Sequence, residues 1–462
     1  MILKLTNTFH EQNGAGSILN KVLADVGEWP GGLVAFYWDH QQAYLPGDRH
    51  IRLMTLAYKT PELKQPRLVI SDQLELAGRW LETEHPAASD EEQLDHFADY
   101  CSAPVIRLDA PLHLDPVLIP KPWGREIWYT GIEARGQSGV GDKTNSIPLP
   151  WLLALAGDVV LGKDCLGLNL LKILDPLPEP VYGDLYFELH EQKREVYVVT
   201  HIDNTAWPQG VGAIRYGFDQ RVHGQYDCDA NFREAFRQSV ARYERVRREI
   251  DGHYDAYRKT EGLALDEPVA ADRLQRWARQ LPQALVSQEQ EAREAMNDFT
   301  QLRPLSVGDV IKVPCLLPHS LQHGVRTVEF QSPVYERKIL SFAQKVLTQN
   351  HWDSDEAIAL MSTEEPVEAP LEVLEANSRC CLERVVEFDD FQVERLTLAP
   401  GAEWRLISGE HYALVMAVNA LILAGCRLDA EEAAWIPAAA ESVVIENPGS
   451  EPVIVLISRP VM

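Results

Sequence analysis

The sequence predicts a mainly β fold with an α-helical insertion. It would have a barrel or jelly-roll core, a second barrel-like unit at the C-terminus and a small α+β unit at the N-terminus. Three observations predict it. Short β-branched and aromatic runs, cut by Gly and Pro, recur from about residue 117 to 208 and again over the last eighty or so residues. Between residues 231 and 302 the apolar spacing changes to that of helices. A length of 462 residues allows roughly three structural units.

Residues 1–115 alternate short apolar segments, such as Gly32 to Trp38 and Arg67 to Ile70, with turn residues. Ser89-Asp90-Glu91-Glu92 reads as an N-cap followed by acids, opening a helix towards Tyr100. This α+β unit carries no motif tied to chemistry. Residues 116–230, resumed at 303–362, form the strand-rich core. Runs at 126–129, 167–174, 185–190 and 195–200 are expected as successive strands of one antiparallel sheet.

The insertion spans 231–302. Phe232, Phe236, Val240, Tyr243, Val246, Ile250, Tyr254 and Tyr257 recur at helical steps, an apolar stripe of about seven turns. Arg233, Arg237, Arg242, Arg245, Arg247 and Arg248 occupy its other faces and read as a solvated surface, with an anion platform as the functional alternative. Leu274, Trp277, Leu281 and Leu285 mark a second helical segment, kinked or broken at Pro282. The acidic, Pro-containing stretch 363–370 reads as a linker. Residues 371–462 then return to short strands.

Composition narrows the function. Lys and Arg number 43 against 69 Asp and Glu, a net charge of -26 that repels nucleic-acid phosphates. No apolar run approaches ~18 residues, so no membrane span is expected and the cytoplasm is the default address. The seven cysteines are scattered without a C-x-x-C pair, as expected of reduced thiols.

The chemistry is concentrated in Glu188-Leu189-His190-Glu191-Gln192-Lys193-Arg194-Glu195. On a strand, Glu188 and His190 project from one face and can reach one ion. If 191–194 form a hairpin connection, Glu195 lies across from His190 on the next strand. Gly308 to His319 supplies a fourth candidate, a strand ending in a Pro-bounded turn that presents His319. Two carboxylates and two imidazoles make a mixed N/O site suited to a divalent metal, zinc first, with manganese, iron or cobalt as alternatives. Alone, Glu-x-His is ordinarily a polar strand face, and a histidine after proline is ordinarily structural. The order E-x-H-x4-E followed by G-x5-P-x4-H carries more, because it resembles the two half-motifs of the cupin superfamily.

From about Lys121 onward the chain resembles the type I mannose-6-phosphate isomerases (phosphomannose isomerases). The matching runs are Lys121-Pro122-Trp123-Gly124, Leu170 to Asp175, Glu188-Leu189-His190, Lys193-Arg194-Glu195, Pro314 to His319, and Glu329-Phe330-Gln331 leading to Tyr335-Glu336-Arg337. The resemblance implies a cupin barrel holding a metal through Glu188, His190, Glu195 and His319. Arg337 matches the family's catalytic arginine and Lys193 its active-site lysine. It also implies aldose–ketose interconversion of a sugar or sugar phosphate through an enediol. Glu188 stands where the family has glutamine, adding a negative charge that strengthens metal binding and holds an anionic substrate less well. Tyr186 replaces a serine associated with phosphate, Glu191 replaces a proline, and the connection to Glu195 is shorter. The C-terminal unit resembles a second cupin barrel. It lacks a histidine in Ile436 to Glu441, so it is expected to be metal-free and structural. His323, four residues past His319, reads as a surface histidine, with an extra ligand or proton carrier as the alternative, and His201 and His411 read as surface histidines.

Two further classes stand beside the isomerase: a non-catalytic, metal-containing cupin that binds or senses a carbohydrate, and an iron-dependent oxygenase.

Overall fold

The computed structural model describes residues 2–10, 17–27, 29, 31–42, 50–83, 89–165, 167–367 and 369–461. Glu368 of the expected linker lies outside the described residues, as do Met1 and Met462. The fold is a mixed α/β architecture of several sheets with helical insertions. It divides into two compact units, one of Met1–Val117, Trp128–Leu171 and Leu371–Met462, the other of Leu118–Ile127 and Lys172–Pro370.

In the first unit a five-stranded sheet begins with the parallel pair Leu3–His10 and Gly32–Gln41. Trp80, Leu94 and Phe97 of the helices Leu74–Glu82 and Asp90–Cys101 are buried with Leu33, Leu56 and Val69 from its strands. Asp90–Cys101 starts at the expected cap: Ser89 accepts from Glu92 N–H, and the Glu92 carboxylate accepts from Ser89 N–H at 2.8 Å. The C-terminal strands form most of a nine-stranded sheet, joined by Leu112–Asp115, Gly139–Gly141 and Ser146–Pro148. A four-stranded sheet encloses the same apolar core.

Two sheets build the second unit. One is ordered Val310–Val313, Glu195–Ile202, Val325–Gln331, Leu170–Pro176, Gly124–Trp128 and Val117–Lys121. The other is ordered Thr300–Leu305, Gly212–Phe218, His319–Leu321, Phe187–Leu189 and Lys338–Ser341. Tyr197, Val199 and Ile311 from the first meet Leu189, Ile214 and Leu321 from the second in one core. The expectation of a single antiparallel sheet is thereby corrected: the 185–190 run belongs to the second sheet, the other three runs to the first. Gly124, at φ 146°, lets the chain pass so close to the neighbouring strand that a Cβ there would lie 2.3 Å from Asp175 O.

The predicted helical stripe is the helix Asp229–Thr260, and Pro282 opens a separate helix, Gln283–Asn297. Phe232, Phe236, Val240 and Tyr243 are buried against the core of this unit, each contributing roughly 1.5–3 kcal/mol. The arginine face is not uniformly solvated. Arg247 is buried, its charge met one turn on by Asp251 at 2.8 Å. No helix among the described residues is long and apolar enough to cross a membrane.

Candidate metal centre

Glu188 lies in Phe187–Leu189 directly opposite His319 on one side and Ile339 on the other. Opposed residues of a pair point to the same face, and His190 follows at the next position on that face. Glu195 comes from the other sheet, where it shares the inner face with Tyr197 and Val199 of the core. The expected hairpin does not form. Glu195 pairs with Val313 and Gln331, because residues 191–194 cross between sheets. Their amides are held by another group: Glu191, Gln192 and Lys193 N–H donate to Glu336 Oε1 at 2.8, 2.9 and 3.1 Å.

Both imidazoles are oriented by backbone carbonyls. His190 Nδ1 donates to Glu336 O at 3.0 Å, and His319 Nδ1 donates to Leu317 O at 3.0 Å. A carbonyl only accepts, so the neutral rings carry their proton on Nδ1 and turn the Nε2 lone pair inward. Burial, then the Lys193 charge, holds the His190 pKa below its ordinary value, keeping the ring neutral. The Nε2 atoms of His190 and His319 and Glu188 Oε2 are buried without a hydrogen-bond partner. One ligand atom from each of these three residues lies within 4.8 Å of the others.

Glu195 Oε2 joins this focus, 3.4 Å from His190 Nε2 and 3.3 Å from His319 Nε2, and accepts from Tyr197 Oη at 2.5 Å. Burial alone would raise the Glu195 carboxyl. The Lys193 ammonium, which contacts its other oxygen, is the largest of the influences that outweigh burial and hold it well below the carboxylate range. Arg337 Nε stands 3.9 Å from Glu188 Oε2, while its guanidinium covers the Tyr186 ring at 4.3 Å and its Nη2 donates to Thr348 Oγ1 at 2.9 Å. Burial first, against the nearby guanidinium, pushes the Tyr186 phenol up to about 12.

The structure thus brings Glu188, His190 and His319 together, with Glu195 against the two imidazoles, Lys193 against Glu195 and Arg337 beside Glu188. The donor set fits a divalent cation. Four ligands about 2.0–2.1 Å from a tetrahedral ion stand roughly 3.3–3.4 Å apart, close to the spacing of Glu195 Oε2 from the two nitrogens.

Behind the focus lies a chain of buried charges that sequence reasoning did not assign. Lys121 Nζ meets Glu126 at 3.1 Å, and Lys172 Nζ lies 4.0 Å from Glu126 and 3.2 Å from Glu329. Glu329 is opposite Tyr197, and Gln331 is opposite Glu195. Burial, then the Glu195 charge, drives the Glu329 carboxyl well above its ordinary range, so it holds a proton beside ionised Glu195. The available signal was a polar residue at every second position of otherwise apolar strands. Glu336 had no such signal. His323 is corrected from a surface group: it stacks on Trp207 at 4.7 Å and meets Asp184 at 2.7 Å.

No protein-family profile matches the chain, and no curated protein matches it. Solved structures do. These sheets and helices define the fold class of the phosphomannose isomerases, and the likeness at this identity is one of fold. The mannose 6-phosphate isomerase of Bacillus subtilis covers 76% of this chain with 99% of its own, at 13% identity and TM-score 0.52. A point variant of phosphomannose isomerase from Salmonella typhimurium covers 76% with 100% of its own, at 14% identity and TM-score 0.54.

Proposed function

We propose that the protein is a metal-dependent aldose–ketose isomerase of the mannose-6-phosphate isomerase kind, acting in the cytoplasm on a sugar or sugar phosphate inside a cupin-type barrel. In this reading Glu188, His190, Glu195 and His319 hold the ion, zinc first, and Arg337 and Lys193 are the catalytic residues. The observation that carries it is the convergence of one ligand atom each from Glu188, His190 and His319 within 4.8 Å of one another, with both imidazole Nε2 atoms buried and without a hydrogen-bond partner. Orphaned polar atoms cost roughly 1–3 kcal/mol each, and a shared cation removes that cost.

When bound, a divalent cation supplies Lewis acidity that polarises a sugar carbonyl. The chain's own groups do the rest. Arg337, fixed by the Tyr186 ring and Thr348, meets the negative charge that develops on the enediolate oxygens. Lys193, placed beside Glu195 at the edge of the site, would serve as proton carrier, its amine taking the proton from C2 and the resulting ammonium returning it to C1. Protonated Glu329 keeps a second carboxylate charge from competing with Glu195.

Solvent exchange at sugar C2 tests the reading. Zinc-loaded protein in deuterated water is given aldose and ketose phosphates and the free sugars, and label is expected at C2 with at least one pair. Absence of exchange with every pair overturns isomerisation. The engagement of Arg337 by Tyr186, Thr348 and Glu188 favours a second reading, a non-catalytic metal-containing carbohydrate sensor. Calorimetric sugar binding without exchange selects it.

A further inference from the structure

Between the helical segment and residues 180–182 and 343–347 lies a half-open cavity of about 170 Å³ that the isomerase reading leaves unused. Ile250, Leu274, Leu281 and Val286 make part of its wall apolar, and Tyr182 and Tyr254 add phenols. Among its charged lining residues Arg247, Arg258, Arg293 and Lys345 are cationic, and Glu289 alone is anionic. Three of the cations have a carboxylate. Arg247 meets Asp251 at 2.8 Å, Arg293 meets Glu289 at 3.1 Å, and Lys345 meets Asp255 at 2.7 Å.

Arg258 differs. It is 3% exposed, and among the described residues no carboxylate stands within ion-pair distance of it. Its Nη1 donates to Ala264 O at 3.1 Å and Glu267 O at 2.6 Å, and its guanidinium lies 6.0 Å from the Trp277 ring centroid. The Nε atoms of Arg258 and Arg247 have no hydrogen-bond partner. A buried cation with no carboxylate in direct contact is costly, and Asp255, Glu267, Asp251 and Asp266 act on Arg258 only from longer range, too weakly to offset its burial. An anion in the cavity would supply the direct counter-charge.

We propose that this cavity is a binding site for a small organic monoanion, a carboxylate on a compact apolar or aromatic body, with Arg258 as its counter-charge. The one lining cation without a carboxylate in ion-pair contact sets the charge of the ligand. The apolar wall sets its body, since a cavity of about 150 Å³ already takes benzene. The site stands independently of the isomerase reading.

Calorimetry on the full chain with benzoate and its neutral isostere benzamide tests the proposal. Benzoate is expected to bind at least about tenfold more tightly than benzamide, the scale of a charge-assisted hydrogen bond. Arg258→Gln is expected to remove that preference. Because Arg258 also ties down residues 264 and 267 through their carbonyls, Val286→Phe provides a second variant. It fills the cavity, leaves every charge in place, and is expected to abolish benzoate binding while retaining a cooperative unfolding transition. Equal affinity for the two compounds, no benzoate binding at millimolar concentration, or undiminished binding by folded Val286→Phe overturns the proposal. The last outcome would place the carboxylate elsewhere, for example on the metal.

Discussion

Glu336 is neither a proposed ligand nor a proposed catalytic residue, yet two of its atoms hold the turn that carries both kinds. Its Oε1 accepts three successive N–H groups, from Glu191, Gln192 and Lys193, and its carbonyl oxygen accepts from His190 Nδ1. Replacing Glu336 by Ala leaves the carbonyl in place and removes the carboxylate. Hydrogen bonds to a charged acceptor contribute roughly 1.5–3 kcal/mol each when well shielded. Glu336 is only partly buried, so about 1 kcal/mol each is the better figure, and the turn loses roughly 3 kcal/mol of local stability. Part of that loss falls on ion affinity, because His190 and Glu195 flank the turn. Loss of an outer-shell partner weakens metal binding about 10–100-fold. Zinc affinity, measured by competition with a chromophoric chelator, is expected to fall in that range for Glu336→Ala. Glu336→Gln keeps one acceptor without its charge and is expected to fall only severalfold. Glu356→Gln, which removes only an exposed ion pair with Lys338, is the matched control and should change nothing. Glu336→Ala with unchanged zinc affinity and an unchanged unfolding midpoint would refute the reasoning.

Glu188→Gln removes one negative charge from the metal focus, so zinc should bind roughly tenfold more weakly, a change of about 1.4 kcal/mol, by the same competition assay. Burial would raise the Asp229 carboxyl, but hydrogen bonds from Thr363, Arg233 and His223 hold it near about 2. Its contribution to stability is therefore complete above the unfolded value of about 3.9 and is lost as pH falls towards 2. Because Asp229 is 44% exposed, the contribution is discounted to about 1 kcal/mol. Urea unfolding should show Asp229→Asn less stable than the parent near neutral pH and equal to it near pH 2. Gly124→Ala forces a Cβ to 2.3 Å from Asp175 O and should cost about 3 kcal/mol or more in the same assay.

The helix Asp229–Thr260 was legible because a stripe repeating at helical steps needs no tertiary information. The burial of Arg247 was not. It depends on Asp251 one turn on and on a cavity formed with segments far along the chain. Glu188 and His190 were legible as neighbours because alternation along a strand is a local rule. Their relation to Glu195 was misread, since a four-residue connection looks the same whether it closes a hairpin or crosses between sheets. Only the partner of its amides distinguishes the two, and that partner, Glu336, is remote in sequence. Lys172 and Glu329 are polar residues in apolar strands, where one sequence cannot show whether such a position is an exposed edge or a buried polar pair.

Phosphorylation of the substrate is the question on which the electrostatics of the whole molecule bear most directly. The chain carries a net charge of -26, and the cations around the proposed centre already face carboxylates: Lys193 faces Glu195, Lys172 faces Glu126 and Arg337 faces Glu188. A phosphate ester approaching this centre meets the repulsive field of the molecule with little local compensation. Salt shortens the range of that field to about 8 Å at physiological strength and about 3 Å at 1 M. If the substrate is a sugar phosphate, kcat/KM should therefore rise with added salt as the repulsion is screened. For a neutral sugar it should stay flat, since no net charge is being moved. Measuring kcat/KM for each active sugar across a salt series, with viscosity held constant, separates the cases. A fall with salt for a phosphorylated substrate would mean that a positive local field outweighs the global charge. That result would refute the view that the paired cations leave the centre without an anion-attracting patch.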